Sequence, residues 1–208
     1  MKSAHQTFLK SLPLVQTPAE IQNLLDTFAF NYEHKGETCM SPLLVLEHKK
    51  AHCIEGAMLA SMLMVSLGQK PLIMSLKVEK GDYDHIVALY KENGYWGAIS
   101  KTNHAVLRFR DPVYRTVREL ALSYFHEYFL VENGKKTMKG YSLPVNLNRF
   151  GSKWITSREN LWGIAETIFD MKHIPVIPKG NEKFIRNAGK VEQKAGSIKE
   201  WEKQNIRT

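Results

Sequence analysis

KKAHCIEGAMLASMLMVSLG, from Lys49 to Gly68, is the stretch on which the fold turns. A polar lead-in of Lys49, Lys50, Ala51 and His52 gives way at Cys53 to residues that are almost all apolar or small as far as Leu67, and Gly68 follows. A helix that is apolar nearly all round belongs in a core, so this run predicts a helix buried on most sides, with Cys53 in its first turn and Gly68 just past its end. A thiol in a first turn lies near unpaired N–H groups and the positive end of the helix dipole. Both favour the thiolate, the nucleophilic form. The same thiol can equally be a small core residue, since free cysteine is among the most buried residue types.

Upstream, Thr17-Pro18-Ala19-Glu20 is a capping box with proline at the first helical position, and Ile21, Leu24, Leu25 and Phe28 follow at helical spacing. This predicts a helix running to about Tyr32. Ser41-Pro42 repeats the start signal for a shorter helix through Leu43, Leu44 and Leu46. Downstream of Gly68 the period changes from helical to alternating. Pro71 to Val78 reads as a strand with Met74, Leu76 and Val78 on one face, and Lys80-Gly81-Asp82 as a turn. His85–Tyr90 and Tyr95–Ser100 read as two strands joined by Lys91-Glu92-Asn93-Gly94, a strong hairpin signal. A fourth strand is expected over Ala105–Arg110, and a helix opened by Asp111-Pro112 and ending near Phe129. Tyr141–Phe150 can hold short strands, and the box Thr156-Ser157-Arg158-Glu159 should cap a last helix reaching about Asp170. Pro175 and Pro178 then end regular structure. The expectation is an α+β protein: N-terminal helices, including the Cys-bearing one, packed on an antiparallel sheet, with further C-terminal helices. Residues 1–178 form one domain, with a core over about 17–130 and an extension over 131–178. Residues 179–208 form a basic, polar tail.

Composition fits this. The chain has 208 residues, 43% hydrophobic and 24% charged, as expected of a soluble globular domain. No apolar run approaches the roughly 20 residues that span a bilayer, so no membrane is expected. The N-terminus lacks the apolar core of a signal peptide. Two cysteines do not make a disulfide framework, which points to a reducing, cytoplasmic setting. The net charge of +8 is spread along the chain rather than gathered in one arm, which favours a solvated surface over a nucleic-acid footprint. Cys39, His48, His52 and Cys53 are the one group that suggests zinc, but their spacing matches no zinc pattern, and neither a metal nor a cofactor is expected. Arg108, Arg110, Arg115 and Arg118 read as a solvated strand edge and helix face rather than an anion site.

The hairpin makes a geometric prediction. With a two-residue turn at Asn93-Gly94, Val87 lies opposite Ser100 and His85 opposite Thr102. With a four-residue loop, His85 lies opposite Ser100. Either register puts His85 and Ser100 on one face, because side chains alternate along a strand. Opposite residues have Cβ atoms about 5 Å apart and diagonal ones about 7–8 Å. A hydroxyl is therefore available to orient the imidazole. A nucleophilic thiol needs a base within hydrogen-bond reach, and the base needs a third group to hold it. Asp84 should point to the opposite face from His85 and, with Asp82, reads as a turn carboxylate, while Glu55 reads as a first-turn acid favoured by the helix dipole.

Cys53-x-x-x-Ala57 opening an apolar helix, then Leu67-Gly68 and a strand, then His85 starting a strand and Trp96 on the next, resembles the transglutaminase-like superfamily of cysteine enzymes, which are papain-like in architecture. The resemblance covers about Thr17 to Arg110, roughly half the chain. It implies that Cys53 is the nucleophile and His85 the general base. The aspartate of the family would fall at Ser100, and Asn103 stands nearby as an alternative, since papain-like relatives use an asparagine to orient the histidine. Ala51-His52 also departs from the usual residues before the cysteine. The activity implied is acyl transfer, or hydrolysis of an amide in a peptide or protein substrate. The backbone N–H of Cys53 is the candidate oxyanion donor. Loss of the aspartate points to the alternative, a catalytically degenerate fold that binds or scaffolds.

Overall fold

The computed structural model describes residues 12–200. In chain order, α1 is Pro18–Asp26, β1 Ala29–Phe30, α2 Pro42–His48, β2 Lys50–Ala51 and α3 Cys53–Ser66. The strands β3 Leu72–Val78, β4 His85–Glu92, β5 Tyr95–Ile99 and β6 Arg110–Tyr114 follow. Then come α4 Val117–Ser123, β7 Met138–Ser142, β8 Val145–Asn146, α5 Lys153–Thr156, α6 Trp162–Phe169, β9 His173–Pro175 and α7 Lys190–Gly196. The main sheet has seven strands in the order β6-β5-β4-β3-β7-β9, with β8 also pairing β3, and its pairs are all antiparallel. The protein is thus α+β, with the Cys-bearing helix packed against an antiparallel sheet and further helices after it. No helix among the described residues is long and apolar enough to cross a membrane.

Both faces of the sheet are covered, and alternation along β4 sorts its side chains between them. Ile86, Ala88 and Tyr90 join Ile54, Met58, Leu59 and Leu63 of α3 in one core. Val87 and Leu89 join Met74, Leu76, Leu120, Tyr124 and Tyr141 in the other. Asn93 (φ +49°) and Gly94 (φ +86°) make the two-residue turn, with Glu92 opposite Tyr95. Positive φ at both central residues gives the twist that a two-residue hairpin requires.

The helix starts at Thr17 and Ser41 are as read: each hydroxyl accepts the N–H three residues on, from Glu20 and Leu44. Four boundaries differ. The first helix stops at Asp26, not Tyr32, because the chain turns to pair β1 with β2 (Ala29 with Lys50). Residues 105–109 form no strand; the fourth hairpin partner is β6, an edge strand where Pro112 is tolerated. The helix expected from Asp111 begins at Val117, where Thr116 accepts the Glu119 N–H. The helix expected from Thr156 is split: α5 ends there, Ser157 instead accepts the Glu159 N–H in a local turn, and α6 starts at Trp162. Beyond residue 178, α7 forms, and the N–H groups of Ala105 and Glu200 bond the carbonyls of Ile198 and Asn103, laying this segment along the loop after β5.

Close approach of α3 to that loop depends on Gly56. A Cβ there would lie 2.5 Å from the Cβ of Lys101, which is itself buried with its ammonium on the Phe28 carbonyl (2.6 Å). Alanine normally strengthens a helix by about 1 kcal/mol over glycine. Here Gly56→Ala is expected to destabilise by about 1–3 kcal/mol through overpacking. Chemical denaturation checks this, and a stabilised variant would show that the approach is not rigid.

Candidate active site

Cys53 and His85 meet although they belong to different layers. Register places His85 opposite Leu76 and on the same parity as Val87, toward the core that α3 does not cover. Each, however, is the first residue of its element, and both elements begin at the same end of the sheet. The thiol lies there beside the His85 imidazole and beside a second imidazole, His52, the residue that caps α3. Cys53 is half-buried and opens on a cavity of about 730 Å³, whose wall also includes His52, His85, Asn103, Tyr128 and Trp162.

Hydrogen-bond accounting fixes the orientation of both imidazoles. His85 Nε2 lies 2.7 Å from Ser100 Oγ. The one proton of that hydroxyl goes to the Leu107 carbonyl, at 2.6 Å. Ser100 therefore offers His85 a lone pair, Nε2 carries the proton, and Nδ1 is left for Cys53. His52 repeats the pattern: its Nε2 lies 2.9 Å from the Thr38 carbonyl, which can only accept, so Nε2 donates. Each ring is thus anchored through Nε2–H, which leaves Nδ1 as its other polar atom.

Ser100 is held from two sides. The Gln22 side chain of α1 accepts the Ser100 N–H at 2.9 Å and donates to its carbonyl at 3.0 Å. Leu107 takes φ +62°, a left-handed conformation rare for a side chain of its size. Glu127 accepts the Leu107 N–H at 2.7 Å and is paired with Arg110 at 2.6 Å. A carboxylate thus supports the position from behind, without touching His85. Arg110 also stacks on Tyr124, 4.1 Å from the ring centre, so it is neither a solvated edge residue nor an anion ligand. Asn103 lines the same cavity, and its carbonyl accepts the Glu200 N–H.

Glu55 is fully buried and is more than a first-turn acid. It accepts from Asn31 Nδ2 (3.1 Å), Thr38 Oγ1 (2.7 Å), the Met40 N–H (2.8 Å) and the His52 N–H (3.0 Å). Its Oε1 also lies 3.4 Å from His52 Nε2, and Glu33 Oε1 lies 3.5 Å from the same nitrogen. Burial opposes a charged sulfur, but the hydrogen bonds from His52 and His85, with the charges of both rings, outweigh it and bring the Cys53 thiol down to about 5. Burial likewise opposes a charged His52, but its bond to Cys53, the charges of Cys53 and Glu55 and the Thr38 carbonyl raise it to about 9. Cys39 behaves oppositely: burial and the nearby Glu55 push its thiol up to about 12, leaving it inert.

Among the described residues, no group of three or more His, Cys, Asp or Glu side chains is arranged to hold a metal ion, Cys39, His48, His52 and Cys53 included. Asp84 is occupied by Lys77 (2.7 Å) and the Val78 N–H (2.9 Å), and Asp82 by Tyr83 N–H (2.8 Å) and the Thr137 hydroxyl (2.5 Å), as turn carboxylates should be. Sequence reasoning did not find His52, Glu55 or Gln22 as site residues. The available signal was Glu55 three residues after His52, the spacing at which an acid accepts the capping N–H. A scan against protein-family models and a search of curated proteins return no match to this chain.

Proposed function

We propose that the chain is a thiol-dependent acyl-transferring enzyme of transglutaminase-like type, acting on an amide of a peptide or protein. One observation carries the reading: the Cys53 thiol at the head of α3 opens on the same cavity as the His85 imidazole, whose Nε2 is anchored by Ser100 at 2.7 Å. The Cys53 sulfur attacks the carbonyl carbon, forming the C–S bond. The proton that left the thiol rests on His85 Nδ1 and passes to the departing amine as the C–N bond breaks. Water then gives a proton to His85 and attacks the thioester, and that proton returns to sulfur as the acid leaves. In this reading the Cys53 N–H, in the first turn of α3, donates to the developing oxyanion.

p-Nitrophenyl acetate tests this without knowledge of the natural substrate. The expected result is a burst of one p-nitrophenol per chain, an acetyl thioester on Cys53 by peptide mapping, then steady turnover. Both features vanish in Cys53→Ala. A burst-free reaction no faster than with free cysteine would leave a fold that binds instead of reacting.

A further inference from the structure

A single imidazole suffices to take a proton from a thiol, yet two imidazoles, His52 and His85, line the cavity beside Cys53. We infer that His52 is a fixed imidazolium, held by Glu55, Glu33 and the Thr38 carbonyl, whose charge keeps Cys53 as a thiolate while His85 alone moves protons. This rests on the acyl-transfer reading above for the role of His85.

The geometry separates the two rings. His85 is backed by a neutral hydroxyl, Ser100, at 2.7 Å, and its position on β4 faces the cavity. His52 is backed by a carbonyl at 2.9 Å and by two carboxylates, Glu55 at 3.4 Å and Glu33 at 3.5 Å. Opposite charges that close favour the protonated ring, and Glu55 is fully buried, where screening is weak. The groups facing His52 are Cys53 and Glu55 from α3 and Glu33 and Thr38 from the segment after β1. Cys39 stays neutral and adds no charge. The raised affinity of His52 for its proton, to about 9, agrees with this geometry.

The arrangement also accounts for the missing aspartate. A carboxylate on the far side of a triad histidine stabilises its positive form. In this chain the carboxylates stand behind His52, and the positive charge acts on the sulfur directly. Proton balance is kept: His52 neither gains nor loses a proton in the cycle, and the thiol proton travels through His85.

The test is the pH dependence of Cys53 alkylation by iodoacetamide, beside acetyl turnover. A folded-state thiol lowered to about 5 should react at a constant rate above about pH 6 and slow about tenfold per unit below pH 5. In His52→Gln the midpoint should rise by about two units or more, so that labelling at pH 6 falls about tenfold or more while labelling at pH 9 is unchanged. Acetyl turnover of His52→Gln should likewise recover at pH 9, where bulk solvent ionises the thiol. Glu33→Gln, which leaves the buried Glu55 network in place, should move the midpoint upward by a smaller amount. In the unmutated chain, the His52 ring should titrate near 9 by NMR, and lower in Cys53→Ala. An unchanged midpoint in His52→Gln overturns the inference. So does turnover that stays lost at pH 9, since His52 would then be moving protons itself. If the midpoint behaves as expected but no acetyl thioester forms on the unmutated chain, the electrostatic role of His52 stands and the acyl-transfer reading falls.

Discussion

Glu55→Ala lowers the unfolding free energy by about 3–5 kcal/mol and the melting temperature by about 10 °C. The first figure follows from removing one partner of a buried charged network, the second from the usual conversion for a chain of this size. Both carboxylate oxygens are in use: Oε1 accepts from Thr38 and Met40, Oε2 from Asn31 and His52. Alanine leaves the Met40 and His52 N–H groups and one Asn31 amide hydrogen without their acceptor, and the Thr38 hydroxyl with only Glu33 at 3.4 Å; each such loss costs about 1–3 kcal/mol before relaxation. These bonds hold residues 31–40 against the start of α3, so the cap that places His52 and Cys53 loosens with them. Glu55→Gln cannot rescue the site fully, because one of its two positions becomes a donor facing donors. Differential scanning calorimetry measures the shift. A loss below about 1 kcal/mol would mean that water or rearranged side chains replace the carboxylate at little cost.

His85→Ala cuts acetyl turnover by about 10²–10⁴-fold, the range for removing a general acid–base group. The Cys53 thiolate should survive in this variant, because His52 still holds it. Alkylation by iodoacetamide, which needs no proton transfer, should therefore remain fast near neutral pH. Turnover should not return at high pH, since ionising the thiol does not replace the lost base. The contrast with His52→Gln, which recovers at pH 9, separates the two rings. Turnover of His85→Ala within about threefold of the unmutated chain would remove His85 from the chemistry, despite its bond to Ser100 at 2.7 Å.

The hairpin shows how far local pattern reached. Asn93-Gly94 defines the two-residue turn, and the turn defines the register, which puts Ser100 opposite Val87 and diagonal to His85. The 2.7 Å bond between His85 and Ser100 follows from that diagonal and a ring long enough to cross it. The role of Ser100 as an acceptor did not follow, because it depends on the Leu107 carbonyl taking its proton. That carbonyl is aimed by a left-handed backbone, and no residue near Leu107 announces it.

By itself, the sequence determined the elements whose signals are local: the capped α1 and α2, the apolar α3 with Cys53 at its head, the hairpin, and hence an α+β fold. Apolar periodicity and turn chemistry act over a few residues, so they can be read from a few residues. Only the tertiary structure decided the site. The meeting of Cys53 with His85, the burial of Glu55, the carboxylate of Glu33 near His52 and the grip of Gln22 on Ser100 join residues that are distant in sequence. Their hydrogen bonds and charges depend on distance in space and on exclusion of water, and the order of residues along the chain encodes neither.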